Sequence, residues 1–225
     1  MAHEKTHRCA VVVLAVLVSL MASECVAQEL PPDRSCTVGA AGIFTTPEGE
    51  DRQNFNHGGW GFQAGGGFAI TRQAEPNHGH TWYITSNYLY DKFRVRGSAL
   101  AAAIAKEPQL AGATSAHGDF SAITLDPTFR WTLNRHSSLY WSGGFGWLHR
   151  GIGFNGLSMV PPLLPSSSSL GGVTSNSGVF DFGIGLNFAP RHLGGLMLFT
   201  EGRVYHGTAI NSGSTLVPIS IGLRW

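Results

Sequence analysis

The sequence predicts an all-β fold: an eight-stranded antiparallel up-and-down transmembrane β-barrel whose lumen is polar and filled by side chains. Three observations carry this expectation. Apolar and polar side chains alternate at every step over eight stretches of about 10 to 14 residues, the length of a tilted membrane strand. The connections between the stretches alternate between long and short. The polar sets hold charges of both signs, which suits a confined interior where they can pair.

The first residues read as a leader. Lys5 and Arg8 precede an apolar run from Cys9 to Ala22, and "ECVAQE" follows with Ala27 before the expected cut. The run is about 14 residues, shorter than the roughly 20 of a spanning helix, so residues 1–27 are read as a signal peptide and 28–225 as one barrel domain. Loss of the leader would take Cys9 and Cys25 with it, leaving Cys36 as a lone thiol with no disulfide partner. The formal net charge is +1, so there is no basic field for nucleic acid.

Strands are expected at 36–45, 59–71, 81–93, 119–132, 138–150, 178–189, 195–206 and 215–225. In 119–132, Ile123, Leu125, Phe129 and Trp131 alternate with Thr124, Asp126, Thr128 and Arg130. Phe180, Phe182, Ile184, Leu186 and Phe188 alternate with Asp181, Gly183, Gly185 and Asn187. In 195–206, Leu196, Leu198 and Val204 alternate with Phe199, Glu201, Arg203 and Tyr205. The last ten residues, "LVPISIGLRW", put Val217, Ile219, Ile221, Leu223 and Trp225 on one face and Pro218, Ser220, Gly222 and Arg224 on the other.

Alternation alone also suits a soluble barrel with a greasy centre. Mixed charges, a glycine-rich polar set and tryptophans near strand ends (Trp82, Trp131, Trp147, Trp225) favour polar side chains inside. A lumen of eight strands is just wide enough for side chains to fill. Asp126, Asp181 and Glu201 with Arg130, Arg203 and Arg224 are therefore expected to form a mutually paired lumen ionic network, with no water-filled pore. Pro127 and Pro218 fall inside strands, where a local bulge is expected at each.

The loops at 94–117 and 151–177 are expected to carry the function. "SALAAAIAKE" at 98–107 reads as a short surface helix capped by Ser98. The Pro/Ser-rich segment 156–172 has an apolar tip at Met159, Val160, Leu163 and Leu164. "GWGFQAGGGF" lacks the Gly-Lys-Ser/Thr of a phosphate loop. His78 and His80 make half a metal site. No cofactor or metal is expected, and no catalytic residue is assigned.

One constellation has catalytic potential. Glu201, His206 and Thr208 resemble the carboxylate, imidazole and hydroxyl of lipid A deacylase barrels, with His206 as base and Thr208 as nucleophile. Thr208 is bulkier than the usual serine, and Glu201 differs in strand parity from His206.

Taken whole, residues 36–225 resemble small bacterial outer-membrane β-barrel domain proteins of the OmpA/OmpX-like class. "AAGIFTTPEGE", "LDPTFRW" and "FTEGRVYHGTAINSGSTLVPISIGLRW" carry the resemblance. In the last, Thr215, Val217, Pro218, Ile219, Gly222, Leu223, Arg224 and Trp225 fit the family's final-strand pattern, with Leu216 outside it. The resemblance implies a Gram-negative outer-membrane location and contact with outer-membrane lipid and lipopolysaccharide. It also implies that Trp225 serves as the C-terminal signal read by barrel-assembly machinery. The expected role is structural or adhesive. An esterase acting on lipid A and a secreted carrier of an apolar ligand stand as alternatives.

Overall fold

All eight alternating stretches are strands in the computed structural model, which describes residues 36–49, 51–73, 79–134, 136–157, 174–189, 195–208 and 214–225. They are β1 (Cys36–Gly49), β2 (Gly59–Gln73), β3 (His80–Arg94), β4 (Ser115–Asn134), β5 (Ser137–Asn155), β6 (Thr174–Phe188), β7 (Met197–Gly207) and β8 (Ser214–Arg224). Each pairs antiparallel with its sequence neighbours, and β1 closes the ring on β8 from Gly39↔Arg224 to Gly49↔Ser214. Trp225 exchanges both backbone hydrogen bonds with Val38, at 2.7 and 2.8 Å. The leader, His78 and the apolar tip at 159–164 lie outside the described residues.

The connections at 74–79, 135–136 and 189–196 lie at the same end as Cys36 and Trp225. Those at 50–58, 95–114, 156–173 and 208–213 lie at the other, here called the outer end. The two loops expected to be longest are shorter than the sequence suggests, because β4 and β5 run on to Ser115 and Asn155. Four residues before the expected start of β4, Ser115 to Gly118, pair there with Asn155 to Ile152 after the expected end of β5, as in His117↔Gly153.

Side-chain polarity inverts part-way along the long strands. On β4, outward Ile123, Leu125 and Trp131 oppose inward Thr124, Asp126, Thr128 and Arg130. Beyond residue 122 towards the outer end, outward Ser121, Asp119 and His117 oppose inward Ala122, Phe120 and Ala116. The inversion is in register across three strands: Tyr88 pairs with Ile123 and Ile123 with Trp147, while Leu89 pairs with Ala122 and Ala122 with Leu148. Below this line the wall is apolar outside and polar inside, as hydrocarbon requires; above it the wall has the polarity of a soluble sheet.

The apolar inner face above the line needs a cover, and two helical segments supply it. Helix α1 (Asp51–Asn54) leads to Phe55, which is fully buried against Phe93 and Phe120. Helix α2 (Gly97–Lys106) buries Ala99, Leu100 and Ala103 in the same cluster. The expected surface helix is therefore present, and its buried face makes it a lid over the mouth. Ser98 does not cap it. Arg96 occupies that position with no side-chain cap, since a guanidinium has no acceptor to offer; its backbone N–H donates to Asn54 O at 2.9 Å.

The expected bulges at the two prolines are absent. Pro127 pairs with Ile84 on one side; on the other, the β4–β5 ladder passes from Leu125↔Phe145 to Thr128↔Ser142 with its register unchanged. Pro218 pairs with Thr45, while the β7–β8 ladder passes from Gly202↔Ile219 to Tyr205↔Leu216, again in register. A proline removes one donor but inserts no residue, so a ladder skips it without shifting. Register shifts fall instead at Ala69/Thr71 and Thr132/Asn134. The expectation of a lone thiol at Cys36 rested on loss of Cys9 and Cys25, which lie outside the described residues.

Close approach of neighbouring strands makes some glycines irreplaceable. A Cβ at Gly146 would lie 1.9 Å from Ile123 O, whereas one at Gly42 would meet nothing within 4 Å. Gly146→Val should lose about 1–3 kcal/mol or more by overpacking, and Gly42→Ala should fold as wild type. The fraction of faster-migrating, unboiled barrel on a gel reads the difference.

Candidate functional site

The sequence places Asp126, Asp181, Glu201 and Arg203 on inward parity, and the fold brings them together. Arg203 is the hub. Its Nε donates to Glu201 Oε1 at 2.7 Å, its Nη1 to Asp126 Oδ2 at 2.7 Å and to Asp181 Oδ2, and its Nη2 to Ser142 Oγ at 2.7 Å. The side chains of Arg203 and Glu201 are 2% and 1% exposed, so protein groups must replace their water. Tyr140 OH donates to Glu201 Oε2 at 2.7 Å, Gln63 Nε2 to Glu201 Oε1 at 3.3 Å, and Asn87 Nδ2 to Asp126 Oδ2 at 2.6 Å.

The other two expected members are placed differently. Arg224 reaches the cluster through Tyr140, donating to its hydroxyl at 3.3 Å and to Asn187 Oδ1 at 3.0 Å. Its guanidinium sits 4.5 and 4.4 Å from the ring centroids of Tyr140 and Phe199. Arg130 lies 4.9 Å over the ring of Tyr83. Gln63, Tyr140 and Asn87 were missed as partners, although the same inward parity marks each of them. A small cavity remains among Tyr83, Arg130, Tyr140, Glu201, Arg203 and Arg224.

A second buried ion pair lies in the apolar tier, where sequence reasoning saw none. Arg150 Nη2 is 3.5 Å from Asp51 Oδ1, with side chains 4% and 3% exposed. The Arg150 guanidinium also faces the rings of Phe55 and Phe120 at 5.4 and 5.8 Å. The pair fastens α1 to β5 across the mouth.

The residues of the deacylase-like constellation are not brought together. Glu201 points into the lumen and is held by Arg203. His206 is on the outward face, its Nδ1 2.9 Å from Thr215 Oγ1, and Thr208 Oγ1 donates to Gly178 O at 3.2 Å.

A different polar group gathers outside the wall, above the line of inverted polarity on β3–β5. Asp119 Oδ1 accepts from Tyr90 OH at 2.9 Å and lies 3.9 Å from Lys92 Nζ; its Oδ2 lies 3.5 Å from His117 Nε2. Arg94 pairs across from His117, and His149 Nδ1 contacts Asn176 Oδ1 at 2.7 Å.

Removal of one member of the lumen cluster leaves the rest buried and short of a partner. Glu201→Ala should cost about 3–5 kcal/mol, while Ser98→Ala on the exposed face of α2 should stay within about 0.5 kcal/mol of wild type. Urea unfolding in detergent compares them, and equal midpoints would remove the cluster from any role in stability.

No protein-family model matches the chain, and no curated protein matches it. Among solved structures, Neisserial surface protein A is similar over 84% of this chain and 96% of its own, at 10% identity and a TM-score of 0.51. The attachment invasion locus protein Ail of Yersinia pestis covers 84% and 97%, at 12% identity and a TM-score of 0.48. The outer membrane enzyme PagL covers 83% and 97%, at 14% identity and a TM-score of 0.42. At such identities the fold alone is shared, and the chain has the fold of the small eight-stranded outer-membrane β-barrels.

Proposed function

We propose that the protein is an integral outer-membrane barrel, closed to solutes, whose role is structural or adhesive and is exerted at its outer end. The observation that carries this reading is the belt of outward apolar side chains around a charged interior. Phe145, Phe180, Phe182, Ile184, Ile219 and Ile221 all face out and are more than half exposed. In water such a belt would be an aggregation surface; in hydrocarbon it is the required exterior. A soluble carrier of an apolar ligand needs the opposite arrangement.

The short connections then face the periplasm, with Trp225 at that end available to barrel-assembly machinery. The lumen holds the Arg203 cluster at mid-height and the lid of α1, Phe55 and α2 above it, which supports a plugged barrel rather than a pore. The outward His206 and inward Glu201 favour a non-enzymatic role over ester hydrolysis.

Fractionation of cells expressing the full chain tests the reading. The protein should be found in the outer membrane and migrate faster on a gel when unboiled. Recovery in soluble periplasm without a heat shift would overturn it.

A further inference from the structure

We propose that the outer wall of β3–β5 carries a docking site for the phosphorylated headgroup of an outer-leaflet lipid. The proposal rests on the membrane reading above and adds a specific surface to it. Outward Tyr90, Ser121 and His149 stand one pleat, about 6–7 Å along the strand, on the water side of the Tyr88–Ile123–Trp147 line. Lys92 and Asp119 stand one pleat further, and Arg94 and His117 one further still. Tilted strands bring these rows into the headgroup zone.

Basic side chains outnumber acidic ones there. Lys92 and Arg94 supply two cationic side chains, the imidazoles of His117 and His149 stand beside them, and Asp119 is the single carboxylate among these outward residues. Its oxygens are already engaged by Tyr90, Lys92 and His117. At the outer end of β1, by contrast, Arg52 is matched by Glu48 at 3.8 Å.

The surface also has a recess of the right kind. Gly151 faces outward on β5 opposite Asp119, and a Cβ there would meet only His149 Nε2 at 3.9 Å and Asp119 O at 4.0 Å. The neighbouring His117 ring closes over Gly153. A phosphate above Gly151 would have an imidazole on either side, with Lys92 and Arg94 beyond Asp119 and His117, while its acyl chains run down past Trp147. A lipid is favoured over a free anion because the cations and the apolar belt form one continuous surface.

Binding to the refolded full-length barrel in neutral detergent tests this, using bisphosphorylated lipid A, the same lipid stripped of phosphate, and inorganic phosphate. The bisphosphorylated lipid should bind, and Lys92→Gln/Arg94→Gln should weaken it about tenfold or more. Arg52→Gln should not change it. Gly151→Asp, which places a carboxylate in an open recess, should abolish binding. Millimolar inorganic phosphate should leave it unchanged. Equal binding of the stripped lipid, unchanged binding in both Lys92→Gln/Arg94→Gln and Gly151→Asp, or displacement by inorganic phosphate would overturn the site. Each variant must keep its heat-shifted band, so loss of the site and loss of the barrel are read separately.

Discussion

The structure depends on a change of solvent along a single strand. Where β4 lies in hydrocarbon, its backbone polar groups are satisfied by β3 and β5, and its outward side chains have no water to meet. Ile123, Leu125 and Trp131 therefore face out, and Asp126 and Arg130 must face in. Where β4 emerges, the rule reverses: water takes Asp119 and His117, and Phe120 and Ala116 turn inward. The reversal at Ala122/Ile123 matches reversals at Leu89 and Leu148 because those residues are paired. One row of side chains across β3–β5 therefore divides that wall into a membrane part and a soluble part.

Each part needs its own filling. In the membrane part the lumen is too narrow to hydrate its charges, so Arg203 takes Asp126, Asp181 and Glu201, and Gln63, Asn87, Thr124, Tyr140 and Ser142 from β2 to β5 add further bonds. Replacing such a cluster by packed hydrocarbon can be neutral or stabilising, so its presence argues for fixing how strands meet more than for raw stability. In the soluble part the filling is an ordinary hydrophobic core of Phe93, Phe120 and Ile152, roofed by Phe55 and Leu100. The Asp51–Arg150 pair is the one ionic fastening within that core seen among the described residues.

Much of this was legible in the sequence because a strand's period of two assigns a face to every residue. Parity separated Glu201 from His206 and grouped Phe180 with Phe188. It also held the reversal on β4, where the apolar residues shift from even numbers at 116–122 to odd numbers at 123–131. Read as turn and loop, 115–118 concealed half of that pattern. The lid was less accessible. Its burial depends on Asn54 and Phe55 folding back onto Val95 and Arg96, and no local periodicity encodes that contact. The prolines misled for a different reason: a missing donor is a local fact, but whether the ladder shifts depends on both neighbours.

The division of the barrel also limits where recognition can occur. Below the line every outward side chain competes only with acyl chains, which offer little to select by. Above it on β3–β5 the outward face is polar, sits on a wall held rigid by its own core, and rises beyond the shorter β7 and β8. A site built on strands keeps its geometry better than one built on loops, and Asp119, held from three sides, orients Lys92 and His117 on that wall. The hydrophobic core inside the wall and the basic surface outside it are therefore two consequences of extending β4 and β5 past the membrane, and a barrel cut level with that row would have neither.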